Sequence, residues 1–380
     1  MSIVLIGNYP PDKQESMERF ALMLATGFRS AGLETEIWRP VSVLAVGAKS
    51  TTYGLGKWLG YVDKWLIFPL ILLWRLYTNS NKAGRHFHIC DHSNSPYFKY
   101  LPKARTTITC HDVLAIRGAL GYEDAFCSAT PFGKIYQKWI LGNLSRFNSL
   151  AAVSELTLNH LKELDKAKGK PKEWKVIHNA FNSHFSQLPL AEAKPLLKNA
   201  GLNPDVPFIL HVGSGLPRKN RKLLIDMVAY AGNEWRGNIC FAGEAPDEDL
   251  AKYAADHNLA ERLISIVKPD HATLLALYST CEAFIFPSFS EGFGWPLIEA
   301  QACGAPVISS NIQPMPEVSG GAALHADPLN AREFADALLS LKNEIRRKEL
   351  IRLGFENCQR FEPVRMINSY LNLMKLDVNQ

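Results

Sequence analysis

The sequence predicts an α/β protein of two domains, each a doubly wound parallel sheet. Three observations predict it. Short β-type apolar runs alternate with segments of helical periodicity along the chain, the pattern of βαβ units. The chain has 380 residues, more than one ordinary core organises and comfortable for two. The alternation breaks once, around 182–205, where Pro189, Pro195 and Pro204 fall.

Candidate strands before the break are 3–7, 35–38, 86–90, 106–110, 149–153 and 174–177. After it come 208–212, 238–242, 263–267, 283–286 and 306–309. The first helix shows Phe20, Met23, Leu24, Gly27, Phe28 and Ala31 at i, i+3, i+4 spacing, with Gly32 placed to end it. Another starts at Ser154, an N-cap residue type, and carries Leu156, Leu158, Leu161 and Leu164. The boundary falls near 183, giving domains 1–182 and 183–362. The last segment, 363–380, has Val364, Ile367, Tyr370, Leu371 and Met374 on one helical face and needs a surface to pack on.

Apolar residues at 47% and charged residues at 21% fit a globular enzyme and exclude a disordered or collagenous chain. The seven cysteines are odd in number and have neither Cys-x-x-Cys nor zinc-ligand spacing. They read as buried free thiols of a reducing compartment, and the location expected is cytoplasmic. The N-terminal Met1–Gly7 run lacks a basic region before its apolar residues and reads as a strand, not a leader. The most apolar run, 65–74, contains Pro69 and is shorter than the roughly 20 residues that span a bilayer. It is read either as a core helix covering the sheet or as a patch lying on a membrane. Residues 1–185 hold 23 Lys and Arg against 14 Asp and Glu, although the whole chain is only +5. That basic half is either a solvated surface or a face for anionic lipid or a phosphorylated acceptor, with peripheral contact at the inner membrane face. It has no nucleic-acid-binding motif, and nucleic acid is not an expected partner.

Residues 283–310 are the most informative. They read as strand, loop, helix, turn and strand, with Pro296 suited to a first helical turn and Gly304 to the position after a helix. Ligands of open α/β sheets bind beyond the carboxyl ends of strands, which is where Glu291, Gly292, Phe293 and Gly294 fall. The glycines permit close backbone approach, and a helix start offers N–H groups to an anion. Glu299 follows on the helix, where a carboxylate can accept from vicinal hydroxyls. Upstream, His211-Val-Gly213-Ser-Gly215-Leu-Pro-Arg218-Lys219-Asn220 reads as a strand, a Gly loop, two cations and a helix capped by Asn220. Arg218 and Lys219 are either a diphosphate cradle or a solvated helix start.

The run from Glu291 to Glu299, continued by Ala300-Gln-Ala-Cys-Gly304-Ala-Pro306, resembles the Glu-x7-Glu signature of the family 4 retaining glycosyltransferases. The Pro-Arg-Lys-Asn stretch is similar to a mannosyltransferase-like branch. The resemblance is specific over 207–330 and looser over 1–180. It implies the GT-B fold, with two Rossmann-like domains facing a cleft and the C-terminal helix crossing back to the first. The first domain would take the acceptor and the second the donor. The activity implied is retaining, metal-independent hexosyl transfer from GDP-mannose or a UDP-sugar to a glycan or lipid-linked acceptor in polysaccharide biosynthesis. No cofactor or metal is implied, since the nucleotide-sugar is the substrate.

The resemblance gives Glu291 contacts to the transferred sugar and Glu299 the ribose hydroxyls. The backbone at Gly292, Phe293 and Gly294 would lie along sugar and diphosphate. Gly213, Arg218 and Lys219 would meet the phosphates, and His111, followed by Asp112, would sit beside donor sugar and acceptor. Asp91 and His92 would line the acceptor side. Two departures stand out. Ser214 occupies the place where the family usually has a basic residue, and the first loop, 7–18, lacks the family's glycine-rich pattern and has only Gly7 for freedom. The same fold also serves sugar-nucleotide epimerases and phosphorylases, and a non-catalytic sugar-nucleotide-binding subunit would keep it.

Overall fold

The structure is a computed structural model and describes residues 1–78, 84–165 and 172–376. It divides into two compact units. The first comprises Met1–Tyr122, Cys127–Asn182 and Pro363–Gln380; the second comprises Glu123–Phe126 and Ser183–Glu362. The last four residues of segment 363–380 lie outside the described residues.

The first unit holds β1 (Ser2–Ile6), β2 (Glu34–Trp38), β3 (His86–Ile89), β4 (Thr106–Cys110), β5 (Ser149–Ala152) and β6 (Glu173–Val176). All pairings are parallel, in the order β2-β1-β3-β4-β5-β6. Strands covered on both faces are apolar throughout, as in β1, whose five residues are all buried. The second unit holds β7 (Phe208–Gly213), β8 (Asn238–Gly243), β9 (Leu263–Val267), β10 (Ala283–Phe286), β11 (Val307–Ser310) and β12 (Leu324–Ala326). Its order is β12-β11-β10-β7-β8-β9, again parallel. The strand order reverses direction between β1 and β3 in the first sheet and between β7 and β10 in the second. These are the switch points where loops from neighbouring strands part and leave a crevice.

All eleven expected strands form, within a residue or so. The twelfth, β12, has only three residues, and its Leu-His-Ala carries no alternation long enough to read. The helix Glu15–Ser30 buries Phe20, Leu24 and Phe28, and Gly32 follows at φ +81, where a Cβ would be strained. Ser154 caps Glu155–Leu164 by accepting from Thr157 N. The helix Pro363–Met374 packs on Glu15–Ser30, β4 and β5 of the first unit. Its buried face is Met366, Ile367, Tyr370, Leu371, Leu373 and Met374. Val364, expected on that face, is 68% exposed, because the stripe begins one turn later.

The run 65–74 is buried on one side, as a helix covering the sheet would be, and exposed on the other. Phe68, Pro69 and Leu72 are buried, while Leu66, Leu70, Leu73 and Trp74 are exposed. No helix among the described residues is long and apolar enough to cross a membrane. The cysteines are free, but Cys127 is exposed, contrary to the expectation of uniformly buried thiols. It lies in a loop outside the sheets that bury Cys90, Cys110 and Cys240.

Candidate active site

In the second unit, the loops leaving β7 and β10 flank the switch point. After β7, Gly213 adopts φ +152, and a Cβ there would stand 3.6 Å from Lys219 Cε and 3.7 Å from His211 Nε2. A 3-10 turn, Pro217–Lys219, follows. Asn220 does not cap the next helix, as the sequence suggested. It sits in the left-handed region at φ 53 and donates Nδ2 to the Pro328 and Pro287 carbonyls at 2.7 and 3.3 Å. The helix starts later, at Lys222, with Arg221 at its N-cap position. After β10, the loop ends at Gly294, whose φ of +97 turns the chain into the helix Trp295–Ala302, with Pro296 in its first turn.

These two loops bring Glu291, Arg218 and Lys219 together. Lys219 Nζ lies 2.7 Å from Glu291 Oε1, and Arg218 Nη1 lies 2.7 Å from Glu291 Oε2. The backbones are stitched as well. Phe289 N donates to the Arg218 carbonyl at 2.8 Å, and Arg218 Nη1 donates to the Ser290 carbonyl at 2.8 Å. Glu291 is 7% and Lys219 8% exposed, so neither is part of a solvated helix start. Burial pushes the Glu291 carboxyl up, but the Lys219 and Arg218 charges outweigh it and hold the group below the usual range. Glu299 is also buried and accepts from the Tyr278 hydroxyl at 3.1 Å. Phe293 is buried, its ring against Phe361 and Trp295.

Two residues of this site carry no individual role in the sequence reading. His211 Nδ1 lies 3.1 Å from the Ile285 carbonyl, which makes that nitrogen the donor and leaves Nε2 a lone pair. Burial drives its pKa down to about 3, so the ring is neutral, and Nε2 has no hydrogen-bond partner among the described residues. Arg221 is 7% exposed, with its guanidinium 4.6 Å from the Phe241 ring centre and its Nε and Nη2 unpartnered. Its Nη1 comes within 3.2 Å of a Cβ built at Gly215, whose N donates to Glu244 at 2.7 Å. The Arg in Pro-Arg-Lys-Asn-Arg was a visible signal for it. The segment between β7 and the helix at Lys222 thus carries three cations, Arg218, Lys219 and Arg221.

The first unit's switch point gathers the other expected residues. Asp91, directly after β3, is spent on structure: it accepts from Asn8 Nδ2 at 2.7 Å and Ser93 Oγ at 2.6 Å. His92 Nδ1 lies 3.0 Å from its other oxygen. Despite burial, the neighbouring His92 and these donors hold its carboxyl far below the usual range. Burial lowers the His92 pKa, but Asp91 raises it more. Asn8 in turn accepts from Asn94 Nδ2 at 2.8 Å. The first loop is thus fixed by Asn8, and Gly7 adopts no left-handed backbone. His111 follows β4, is 7% exposed, donates Nε2–H to the Cys90 carbonyl at 3.0 Å and meets Phe20 edge-on at 4.5 Å. Burial lowers its pKa. Asp112 is half-buried and accepts from Leu114 N at 3.0 Å, which starts the next helix. Among the described residues, no group of three or more His, Cys, Asp or Glu is placed to hold a metal ion.

The two six-stranded parallel sheets and their strand orders are those of the GT-B fold. Residues 194–356 match the family described as "Glycosyl transferases group 1". The chain is 31% identical over 203 residues to the O-antigen chain mannosyltransferase B of Escherichia coli, covering 52% of this chain and 53% of that protein. It is 30% identical over 224 residues to the serotype-specific mannosyltransferase WbdA of Escherichia coli, covering 57% and 26%. The matches thus span about half and about a quarter of these relatives' lengths. Among solved structures, sucrose-phosphate synthase from Thermosynechococcus elongatus superposes with a TM-score of 0.73 at 19% identity, covering 99% of this chain and 98% of that one. Anabaena HepE in complex with UDP and glucose gives 0.72 at 16%, covering 99% of both. At these identities the likeness is one of fold.

Proposed function

We propose that the chain is a retaining, metal-independent hexosyltransferase that moves a sugar from a nucleoside diphosphate sugar to a glycan or lipid-linked acceptor of polysaccharide biosynthesis. The observation that carries this reading is the Arg218–Glu291–Lys219 cluster at the second switch point, with Arg221 and the start of Trp295–Ala302 beside it. Guanidinium, ammonium and helix N-terminus are the donors a departing diphosphate needs. Charge building on that leaving group would be stabilised by preorganised cations, so no step in the proposal requires a metal. Glu291 would then orient the sugar hydroxyls, and Glu299, steadied by Tyr278, would accept from the ribose. An oxocarbenium-like transition state is the expectation for glycosyl chemistry. The names of the two curated relatives favour a mannosyl donor, which makes GDP-mannose the first donor to try and a UDP-sugar the second. For the first unit the proposal assigns acceptor recognition, with His111 as the residue to test.

The experiment is a transfer assay with GDP-mannose and UDP-sugars, in the presence and absence of EDTA, with the anomeric configuration of the product read by NMR. Wild type should transfer equally well in EDTA and retain configuration. Lys219→Ala and Glu291→Ala should lose about a hundredfold or more in turnover while keeping the wild-type far-UV circular dichroism, each melting below wild type because a buried charge loses its partner. Unchanged rates in both variants would sink the assignment. Conversion of the nucleotide-sugar to another nucleotide-sugar without an acceptor would favour an epimerase, sugar 1-phosphate formed with inorganic phosphate would favour a phosphorylase, and binding without turnover would favour a non-catalytic subunit.

A further inference from the structure

One surface of the first unit carries large apolar side chains that are exposed among the described residues. From Gly54 to Thr78 the backbone is continuously helical: Gly54–Val62, one π-helical turn at Asp63–Ile67, then Phe68–Thr78. Phe68 and Leu72 face the core. The opposite side presents Leu66, Leu70, Trp74 and Tyr77, which are 64, 69, 64 and 81% exposed. Their spacing of four, four and three residues makes one stripe along the helix. The stripe does not stand alone. The helix Pro131–Leu144 lies alongside, with Trp58 and Phe132 in ring contact at 5.0 Å and Trp65 and Trp139 at 4.9 Å. Ile135 there is 68% exposed. A contiguous apolar and aromatic surface over two elements is larger than the scattered exposed residues normal for a protein surface.

The charges around this surface select its occupant. Between residues 40 and 78 the single acidic residue is Asp63. It is fully buried, and its carboxylate is taken by the Tyr9 hydroxyl and the backbone N–H groups of Val43, Leu44 and Ala45. Helix Pro131–Leu144 contains Lys134 and Lys138, both exposed, and no acid. Lys57 and Arg75 add two more cations on the long helix. Cations beside an apolar stripe that includes Trp and Tyr, with no exposed carboxylate on either helix and the nearby Glu36 paired with Arg85 at 2.9 Å, match a phospholipid headgroup layer. The indole and phenol rings sit at its polar boundary, the leucines enter the acyl region, and the lysines meet lipid phosphates.

We infer that this face, built from 54–78 and 131–144, is an in-plane docking surface for an anionic lipid bilayer. It is distinct from both switch-point sites and does not depend on the transferase reading.

The test is co-sedimentation of the full chain with phosphatidylcholine vesicles, with and without phosphatidylglycerol. Wild type should bind the phosphatidylglycerol vesicles preferentially, and added salt should weaken binding by screening. Leu70→Glu combined with Trp74→Glu should weaken binding about tenfold or more. Lys134→Glu with Lys138→Glu should abolish the preference for anionic lipid. Ile345→Glu, equally exposed but in the second unit, should bind as wild type does. Far-UV circular dichroism and the thermal midpoint of each variant establish that it is folded. Absence of wild-type binding, or equal binding by the folded Leu70→Glu/Trp74→Glu variant, overturns the inference. A concentration-dependent wild-type dimer that this variant converts to monomer also overturns it, because the face would then belong to a second copy.

Discussion

Replacing Glu291 by Gln should tighten nucleoside diphosphate binding while impairing transfer. In the ligand-free chain both Arg218 and Lys219 are spent on Glu291, at 2.7 Å each. A diphosphate that uses those cations competes with the carboxylate for them. Unit charges about 4 Å apart interact by about 4 kcal/mol at an effective dielectric near 20, which is an upper bound because the diphosphate need not displace Glu291 from both cations. A gain of about 1.4 kcal/mol, or about tenfold in Kd, is the reasonable expectation. The neutral amide preserves size but leaves Lys219, 8% exposed, without its counter-charge. That should lower ligand-free stability by about 1–3 kcal/mol. Calorimetric titration with GDP and UDP gives the affinities, and thermal unfolding gives the stability. The variant should melt below wild type alone and show the larger upward shift with saturating nucleotide. Sugar transfer should fall about a hundredfold, because an amide replaces the acceptor of the sugar hydroxyls. If nucleotide binds the variant no more tightly than wild type, Arg218 and Lys219 do not meet the diphosphate and the argument fails.

Other consequences follow from the buried histidines and the helix contacts. Burial pushes His88 and His211 down to about 3, whereas unfolded they titrate near about 6.5. Their contribution to stability is therefore full above about 6.5 and is lost as pH falls toward about 3, at about 1.4 kcal/mol per pH unit for each histidine. Thermal unfolding from about pH 7 down to about 5 should show a falling Tm, with a shallower slope in His88→Gln; an unchanged slope would contradict the assignment. Gly27 faces Ile367 so closely that an added Cβ would come within 2.3 Å of its side chain. Gly27→Ala should thus cost about 1–3 kcal/mol in urea unfolding, and pairing it with Ile367→Ala should cost less than the sum of the single changes. Additive losses would mean that the contact does not limit packing of the C-terminal helix.

The strands were readable because both faces of a parallel sheet are buried. Each central strand is then a short apolar run regardless of what covers it, as in Ala283–Phe286. Glu291, Gly294, Pro296 and Gly304 were readable because backbone geometry restricts which residues fit a strand-to-helix loop. Asn220 was misread because Asn serves equally as a cap and in the left-handed region, and the choice depends on the Pro287 and Pro328 carbonyls, which arrive from distant segments. Asp91 looked like a site residue until Asn8, 83 positions away, was found on its carboxylate.

The sequence by itself therefore determined the alternation of strands and helices, the break near 183 and the residue types that an anion-binding loop requires. All of these are set by local backbone preferences and by the period of apolar residues. The tertiary structure alone decided the strand orders and hence the switch points, which place the loop after β7 against the loop after β10 although some 70 residues separate Arg218 from Glu291. It also left His211 Nε2 and the Nε and Nη2 of Arg221 without hydrogen-bond partners among the described residues and turned one face of 54–78 outward. Charge pairing, burial and exposure depend on which segments meet in space, and that is decided by packing between elements far apart in the chain.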